Sequence, residues 1–69
     1  MPDSVYKIIE LVGISPESWD KAAANAITKA SETLRDLRIA RVSELDIQIK
    51  DGKIEYYRAR IKVSFKFEG

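Results

Sequence analysis

Apolar residues recur with two different spacings along the chain, and the change of spacing predicts where strand gives way to helix. Residues 4–12, SVYKIIELV, are rich in Val, Ile and Tyr with apolar groups on both faces, which is typical of a strand that Gly13 ends. From residue 19 onwards apolar side chains recur every three or four residues, which predicts one helix running to about residue 36. The apolar stripe consists of Trp19, Ala22, Ala23, Ala26, Ile27, Ala30, Leu34 and Leu37.

The beginning of this helix is indicated by Ser15 and Pro16. Ser15 is predicted to be the N-cap, and Pro16 suits the first helical position because it has no N–H to leave unbonded there. Glu17 and Asp20 would lie in the first turn, where the helix dipole favours acidic side chains. Because most of the stripe is alanine, we expect the helix to lie close to the surface on which it packs.

Two further strands joined by a tight turn account for the rest of the chain. Residues 37–50 have a strand-like pattern, and Asp51-Gly52 is the strongest short signal of a type I′ hairpin turn. Residues 54–67 alternate between an apolar set, predicted to face the helix, and a mostly polar set. The apolar set includes Tyr57, Ala59, Ile61, Val63 and Phe65, and the other set is Tyr56, Arg58, Arg60, Lys62, Ser64 and Lys66.

The element order β-α-β-β predicts a single α+β domain over residues 1–69. A right-handed crossover makes the first two strands parallel to each other. The third strand then lies between them and is antiparallel to both, which gives a three-stranded antiparallel-type sheet in the order 1-3-2. The helix covers one face of this sheet.

The two-residue turn also predicts which residues of the hairpin face each other. It pairs Lys50 with Lys53, Ile49 with Ile54, Ile47 with Tyr56 and Leu45 with Arg58. This register leaves an apolar patch on the face away from the helix, formed by Ile47, Ile49, Ile54 and Tyr56. A patch of this kind indicates an oligomer interface or a ligand wall. A bulge between Val42 and Leu45 would shift the register by one residue.

Composition narrows the classes of function. The 69 residues include no His and no Cys, which excludes a catalytic triad, a thiolate nucleophile and a disulfide, and argues against zinc, haem and iron–sulfur sites. The net charge of +1 predicts a cytoplasmic protein with no general attraction for nucleic acid or membranes. A chain this short buries little surface alone, so we expect it to assemble with copies of itself.

Charged residues form two candidate sites. Glu44 and Asp46 share one face of the second strand, either as an acid–base pair or as solvated or interface charges. The arginines at 35, 38 and 41, together with the basic face of the third strand, indicate either a phosphate-bearing ligand or a solubilising, subunit-bridging surface. Trp19 lies on the helix stripe and is interpreted as a packing anchor rather than a platform for stacking a ligand.

Three segments of the chain stand out by their order and spacing: VYKIIELVGISPESW at 5–19, AAANAITKASETLRDLRIARV at 22–42 and DGKIEYYRARIKVSFKFE at 51–68. Together they resemble the dodecins, small flavin-binding proteins of bacteria and archaea. The resemblance implies a sheet partly wrapped round one long helix, and a hollow homododecamer. It also implies a non-enzymatic protein that binds and stores riboflavin or FMN.

The resemblance places the flavin site at Ile39, Leu45, Asp46, Arg58 and Lys66, and two of these depart from the family pattern. Ile39 stands where flavin-binding dodecins have the Trp that stacks on the ring, and Arg58 stands where they have a Gln that bonds the ring. Ile39 offers no π surface, and Arg58 has donors only. Asp46 replaces an Arg of the FMN-binding branch, which disfavours phosphate, whereas Lys66 keeps a basic residue.

Two functions therefore stay open. The first is a dodecamer that sequesters flavin; the second is a flavin-free assembly that binds ions such as calcium, as the resemblance to a branch without the stacking Trp implies. Five carboxylates are candidate ion ligands: Glu17, Asp20, Glu44, Asp46 and Glu68. Trp19 fluorescence is expected to report folding or assembly and to change little on addition of flavin.

Overall fold

The computed structural model describes residues 4–67. The element order is strand β1 (Tyr6–Ser15), helix α1 (Trp19–Ser31), strand β2 (Leu37–Lys50) and strand β3 (Lys53–Lys66). The strands form one sheet in the order β1-β3-β2, and β3 is antiparallel to both neighbours. The predicted α+β class, the β-α-β-β order and the strand order 1-3-2 are confirmed.

Helix α1 begins at Trp19, later than the sequence predicts. Its N-cap is Ser18, whose Oγ accepts a hydrogen bond from the backbone N–H of Lys21 at 3.1 Å. Ser15 lies instead at the end of β1, where its Oγ is buried and accepts a bond from the N–H of Glu17 at 3.0 Å. The prediction of Ser15 as N-cap is wrong because β1 pairs with β3 as far as Ser15, so the second serine caps the helix.

Strand β1 passes through Gly13 rather than ending there. Gly13 pairs with Ala59 of β3 and lies directly beneath the helix. A Cβ at this position would collide with the carbonyl oxygen of Ala22 and come within 3.0 Å of the Cβ of Ala26. Ala22, Ala26 and Ala30 are the buried residues of α1. The expectation that an alanine stripe brings the helix close to the sheet is confirmed, and Gly13 makes that approach sterically feasible.

Helix α1 ends at Ser31 rather than near residue 36. The backbone N–H groups of Thr33 and Leu34 both bond to the carbonyl of Ala30, at 3.2 and 2.9 Å, which closes the last turn. Leu34 lies in the connection that follows, and Leu37 opens β2 and packs against the core. Leu34 and Leu37, the last two residues of the predicted apolar stripe, therefore follow the helical spacing in the sequence but lie outside the helix.

The helix covers only part of the sheet. Its 13 residues are about 20 Å long, whereas the 14 residues of β2 or β3 extend about 46 Å. The radius of gyration is 14.3 Å, against roughly 11 Å for a compact chain of this length. The core is correspondingly small, and consists of Ala22, Ala26, Ala59, Ile61 and Val63.

The hairpin turn has the predicted form. Asp51 and Gly52 have φ values of 54° and 73°, and both positive angles are those that a type I′ turn requires. The first two pairs after the turn are also those predicted, Lys50 with Lys53 and Ile49 with Ile54.

Beyond these two pairs the predicted register is wrong. Glu55 is an extra residue on β3, so that Ile47 faces Tyr57 and Leu45 faces Ala59. The register shifts twice more, where Ser43 and Arg38 are extra residues on β2. A bulge inverts the side-chain alternation of one strand relative to its partner.

The corrected register moves the exposed apolar patch to the other face of the hairpin. Val42, Leu45 and Ile47 face residues of β3 on the helix side of the sheet, yet they are 49%, 51% and 36% exposed because the short helix covers little of β2. Tyr56 stays on the face away from the helix, opposite Gln48. The described residues 4–67 contain no helix that is long and apolar enough to cross a membrane.

Candidate functional site

The sheet face away from α1, called here the outer face, carries most of the charged side chains of the sheet. Strand β1 contributes a largely apolar row, β3 a basic row, and β2 residues of both charges. In strand order β1, β3, β2 the outer face consists of Tyr6, Ile8, Glu10, Val12 and Ile14; Tyr56, Arg58, Arg60, Lys62, Ser64 and Lys66; and Ile39, Arg41, Glu44, Asp46 and Gln48.

Arg58 is bound by Asp46 on the neighbouring strand. Its Nε donates to Oδ1 at 2.7 Å and its Nη2 donates to Oδ2 at 3.0 Å, which is a bidentate pair. This hydrogen bonding is the largest cause that holds the pKa of Asp46 below its ordinary value of 3.8, and it raises the pKa of Arg58. The guanidinium keeps the two N–H groups of Nη1 and one of Nη2 for another acceptor.

Trp19 connects helix α1 to Asp46 of β2, and it does so from the helix side of the sheet. Its indole Nε1 donates to the backbone carbonyl of Asp46 at 3.1 Å. Its ring meets Tyr57 edge to face, with centroids 5.1 Å apart and planes at 77°. Trp19 is therefore an anchor between α1 and the hairpin, as the sequence predicted, and it lies on the helix side of the sheet.

Arg60 joins all three strands on the outer face. Its Nε lies 2.9 Å from Oε1 of Glu44 on β2, and its Nη1 lies 3.5 Å from Oε1 of Glu10 on β1. Glu44 and Asp46 do share one face, as predicted, but each faces an arginine rather than the other carboxylate. Both carboxylates are thus engaged in ion pairs, and they do not form an acid–base pair with each other.

The structure brings only two of the five predicted flavin-site residues into contact, Arg58 and Asp46. Ile39 lies on the same face but faces Ser64, six residues along β3 from Arg58 or roughly 20 Å. Lys66 is farther still along that strand, beside a cavity of about 420 Å³ that Arg35 and Phe67 also line. Leu45 points to the helix side. One chain alone therefore does not assemble these five positions into a compact pocket.

The described carboxylates of a single chain do not converge on a metal site. Within residues 4–67 no three acidic side chains lie close enough together to hold an ion. Glu17 bonds Lys21 at 3.0 Å, and Glu44 and Asp46 bond arginines. Asp20 has no ion pair in the described part of the chain, and the candidate ligand Glu68 lies outside it.

Sequence reasoning missed the part that Glu10 plays on the outer face. Glu10 is the acidic residue of the first strand, and its alternation with Ile9 and Leu11 was the available signal that it faces away from the helix. The sequence did not predict that Arg60 is the partner of Glu10, because the two residues are 50 positions apart in the chain and meet only through the pairing of β1 with β3.

Comparison with known proteins places this architecture in one family. The family model described as Dodecin matches residues 5–68. The calcium dodecin of Mycobacterium tuberculosis is 48% identical over 64 residues, which cover 91% of this chain and 89% of that protein. A crystal structure of the calcium chelating immunodominant antigen, calcium dodecin, from that organism, with a novel calcium-binding site, is 47% identical and has a TM-score of 0.85 over 94% of this chain and 93% of that one.

A second relative shows that the fold is shared beyond the calcium dodecins. Dodecin from Streptomyces coelicolor is 38% identical and superposes with a TM-score of 0.94 over 100% of this chain and 99% of that one. The match in sequence extends over nearly the whole chain, and the matched structures share the three-stranded sheet and single helix described above. This chain belongs to the dodecin family.

Proposed function

We propose that this protein is a non-enzymatic binding protein that assembles into a hollow homododecamer and binds calcium in preference to flavin. The observation that carries the proposal is the Asp46–Arg58 pair at the position where a flavin-binding dodecin bonds the ring. A guanidinium already bound by a carboxylate supplies no acceptor to the ring, and Ile39 supplies no aromatic surface. The 48% identity to a calcium dodecin supports the same choice of ligand.

Self-assembly is supported by the surface that one chain leaves exposed. Val42, Leu45 and Ile47 form an apolar strip on the helix side of the hairpin, and Ile49 and Ile54 near the turn are 68% and 52% exposed. Burial of such a strip against other copies stabilises a small domain whose own core holds few side chains. Calcium takes six to eight oxygen ligands, so its site would draw carboxylates from more than one copy.

Two measurements on the purified protein test this function. Light scattering should give a mass of about 94 kDa, twelve times the 7.8 kDa of one chain. Calorimetric titration of the EDTA-treated protein with calcium should show saturable binding that magnesium does not reproduce, because magnesium demands a smaller octahedral site. A monomeric mass, or no calcium heat with the assembly intact, would contradict the corresponding half of the proposal.

Flavin binding is the second candidate, and family membership favours it. Its test is titration of riboflavin and of FMN with the protein while flavin fluorescence is followed. Strong quenching at micromolar protein would make flavin the main ligand. Absence of quenching, with calcium binding present, would leave calcium as the main ligand.

A further inference from the structure

The hairpin turn carries an aspartate that is followed by glycine and forms no ion pair among residues 4–67. Asp51 and Gly52 are both exposed and have φ values of 54° and 73°. Apart from the chain neighbours of Gly52, no described atom lies within 4 Å of the position that its Cβ would occupy. The pairing of β2 with β3 ends at Lys50 and Lys53, so the N–H of Gly52 lies outside the ladder of strand bonds. The carboxyl group of Asp51 and the amide nitrogen after it are therefore both unobstructed.

Two other aspartates of the described chain each have one of these groups engaged. After Asp20, the backbone N–H of Lys21 donates to Oγ of Ser18 at 3.1 Å. The carboxylate of Asp46 accepts hydrogen bonds from Arg58 at both of its oxygens. Neither residue combines a free carboxylate with a free amide on the next residue.

Asp36 is the aspartate whose surroundings come nearest to those of Asp51. It is exposed, has a φ of 58° and forms no ion pair among residues 4–67. It is followed by Leu37, whose side chain packs against the core. A side chain on the following residue crowds the amide nitrogen, and glycine has none. The combination of free carboxyl, free amide and following glycine is thus found at Asp51 and at no other described aspartate.

We propose that Asp51 isomerises spontaneously to isoaspartate. The amide nitrogen of Gly52 attacks Cγ of Asp51 and closes a succinimide ring. The N–Cγ bond forms, and the OH of the carboxyl group, which solvent has protonated, leaves as water with the amide proton. Water then opens the ring. Attack at Cγ restores aspartate, whereas attack at the main-chain carbonyl carbon breaks its bond to nitrogen and leaves the chain running through Cβ and Cγ. The water released in the first step is consumed in the second, and no oxidant or other reactant takes part.

The isoaspartyl product lengthens the turn by one main-chain atom. A two-residue turn of this type joins Lys50 and Lys53 through a fixed number of atoms, so the added methylene displaces that pair and the next one, Ile49 with Ile54. These isoleucines are 68% and 52% exposed and belong to the surface through which copies are proposed to assemble. A second consequence, which rests on that proposed function, is that isoaspartate in the turn weakens the assembly.

The test is to keep the purified protein at neutral pH in heavy-oxygen water and to map the label by peptide mass spectrometry. Each cycle of ring closure and opening introduces one solvent oxygen, whether aspartate or isoaspartate results. Asp51 should gain label about tenfold faster than Asp36, the matched internal control, which is a difference of roughly 1.4 kcal/mol in activation free energy. Isoaspartate should accumulate with the label, detected as resistance to a protease that cleaves before aspartate. Asp51→Asn should give the same product faster, because a neutral amide is attacked more readily than a carboxylate.

Equal labelling of Asp51 and Asp36, or label at neither, would overturn the proposal, since the glycine and its free amide would then confer no reactivity. Label at Asp51 without isoaspartate would also overturn it, because the carboxyl oxygens would then exchange with water without a ring. Light scattering of the aged protein tests the second consequence separately: an unchanged mass in chains rich in isoaspartate would contradict the effect on assembly. The label is read without calcium, flavin or the mass of the assembly, so failure of this proposal is distinguishable from failure of the proposed function.

Discussion

Arg58 and Asp46 face each other across β3 and β2 and share two hydrogen bonds, of 2.7 and 3.0 Å. The backbone carbonyl of the same aspartate accepts the indole N–H of Trp19 at 3.1 Å. Arg58 is therefore positioned by its neighbour before any ligand arrives, and that neighbour is itself fixed to the helix. The orientation of the outer-face guanidinium and the packing of α1 depend on one residue.

Replacing Asp46 should remove a pH-dependent contribution to stability. Its pKa is lowered from 3.8 in the folded protein, so the charged pair stabilises the fold above that pH and the contribution is lost as the pH falls through the lowered pKa. The wild type should therefore be more stable than Asp46→Asn at neutral pH, and the gap should close in acid. Urea unfolding followed by Trp19 fluorescence across this range measures the gap.

Asp20→Asn is the matched control for this measurement. Asp20 has no ion pair in residues 4–67, and its substitution removes an equal charge on the helix. A gap that stayed constant from neutral pH into acid for Asp46→Asn would mean that its carboxylate contributes nothing through Arg58.

Gly13→Ala should destabilise the protein strongly. The added methyl group collides with the Ala22 carbonyl, and separating helix from strand costs roughly 1–3 kcal/mol or more, as for an overpacked core. Gly52→Ala has open space around its Cβ and carries only the strain of φ 73°, about 1 kcal/mol. Chemical denaturation of the two variants compares them; a smaller loss at Gly13 than at Gly52 would contradict the close approach.

Restoring the family residues at two positions should create flavin affinity only in the assembled protein. Ile39→Trp supplies a stacking ring and Arg58→Gln supplies an amide, but the two positions lie roughly 20 Å apart on one chain. A flavin can contact both residue types only where copies meet. Flavin quenching by the double variant should therefore disappear under conditions that dissociate the assembly. Quenching by the monomer would show that the site lies within one chain.

Trp19→Phe should weaken the anchor between helix and hairpin without abolishing the fold. Phe keeps an edge-to-face contact with Tyr57 but loses the bond to the Asp46 carbonyl, a net loss of about 0.5–1.5 kcal/mol. In the wild type, Trp19 emission should change on unfolding and change little on addition of flavin, because the indole lies on the helix side. Substantial quenching by flavin in direct contact would contradict this placement.

Local sequence signals predicted the elements of the fold and their order. Hydrophobic spacing identified all four elements, and Asp51-Gly52 identified the turn, because each depends on residues close together in the chain. The start of the helix was predicted wrongly because two nearby residues are both suitable N-caps. Either Ser15 or Ser18 can cap a helix, and only the pairing of Ser15 with Tyr57 on β3 decides between them.

The outer face was less predictable for a related reason. One extra residue, Glu55, moves Ile47 and Leu45 to the helix side. The alternation of apolar and polar residues in the two strands does not indicate a bulge at this position. The Asp46–Arg58 pair follows from this corrected register. Under the predicted register Arg58 would have faced Leu45. Whether Ile39 and Arg58 serve one ligand depends on contacts between chains, which no local pattern encodes.

The extra residues Arg38 and Ser43 have a consequence for how the chain associates. Both lie on β2, an edge strand of 14 residues in which the backbone N–H and C=O groups that point away from β3 are available to another strand. Straight edges of this length invite endless strand addition, as in fibrils, whereas bulges and positive charges spoil the regular ladder that such growth needs. With arginines at 38 and 41 along it, this edge resists open-ended polymerisation. The apolar strip of Val42, Leu45 and Ile47 can therefore remain exposed for assembly into a closed oligomer, while the edge of β2 disfavours growth into fibres.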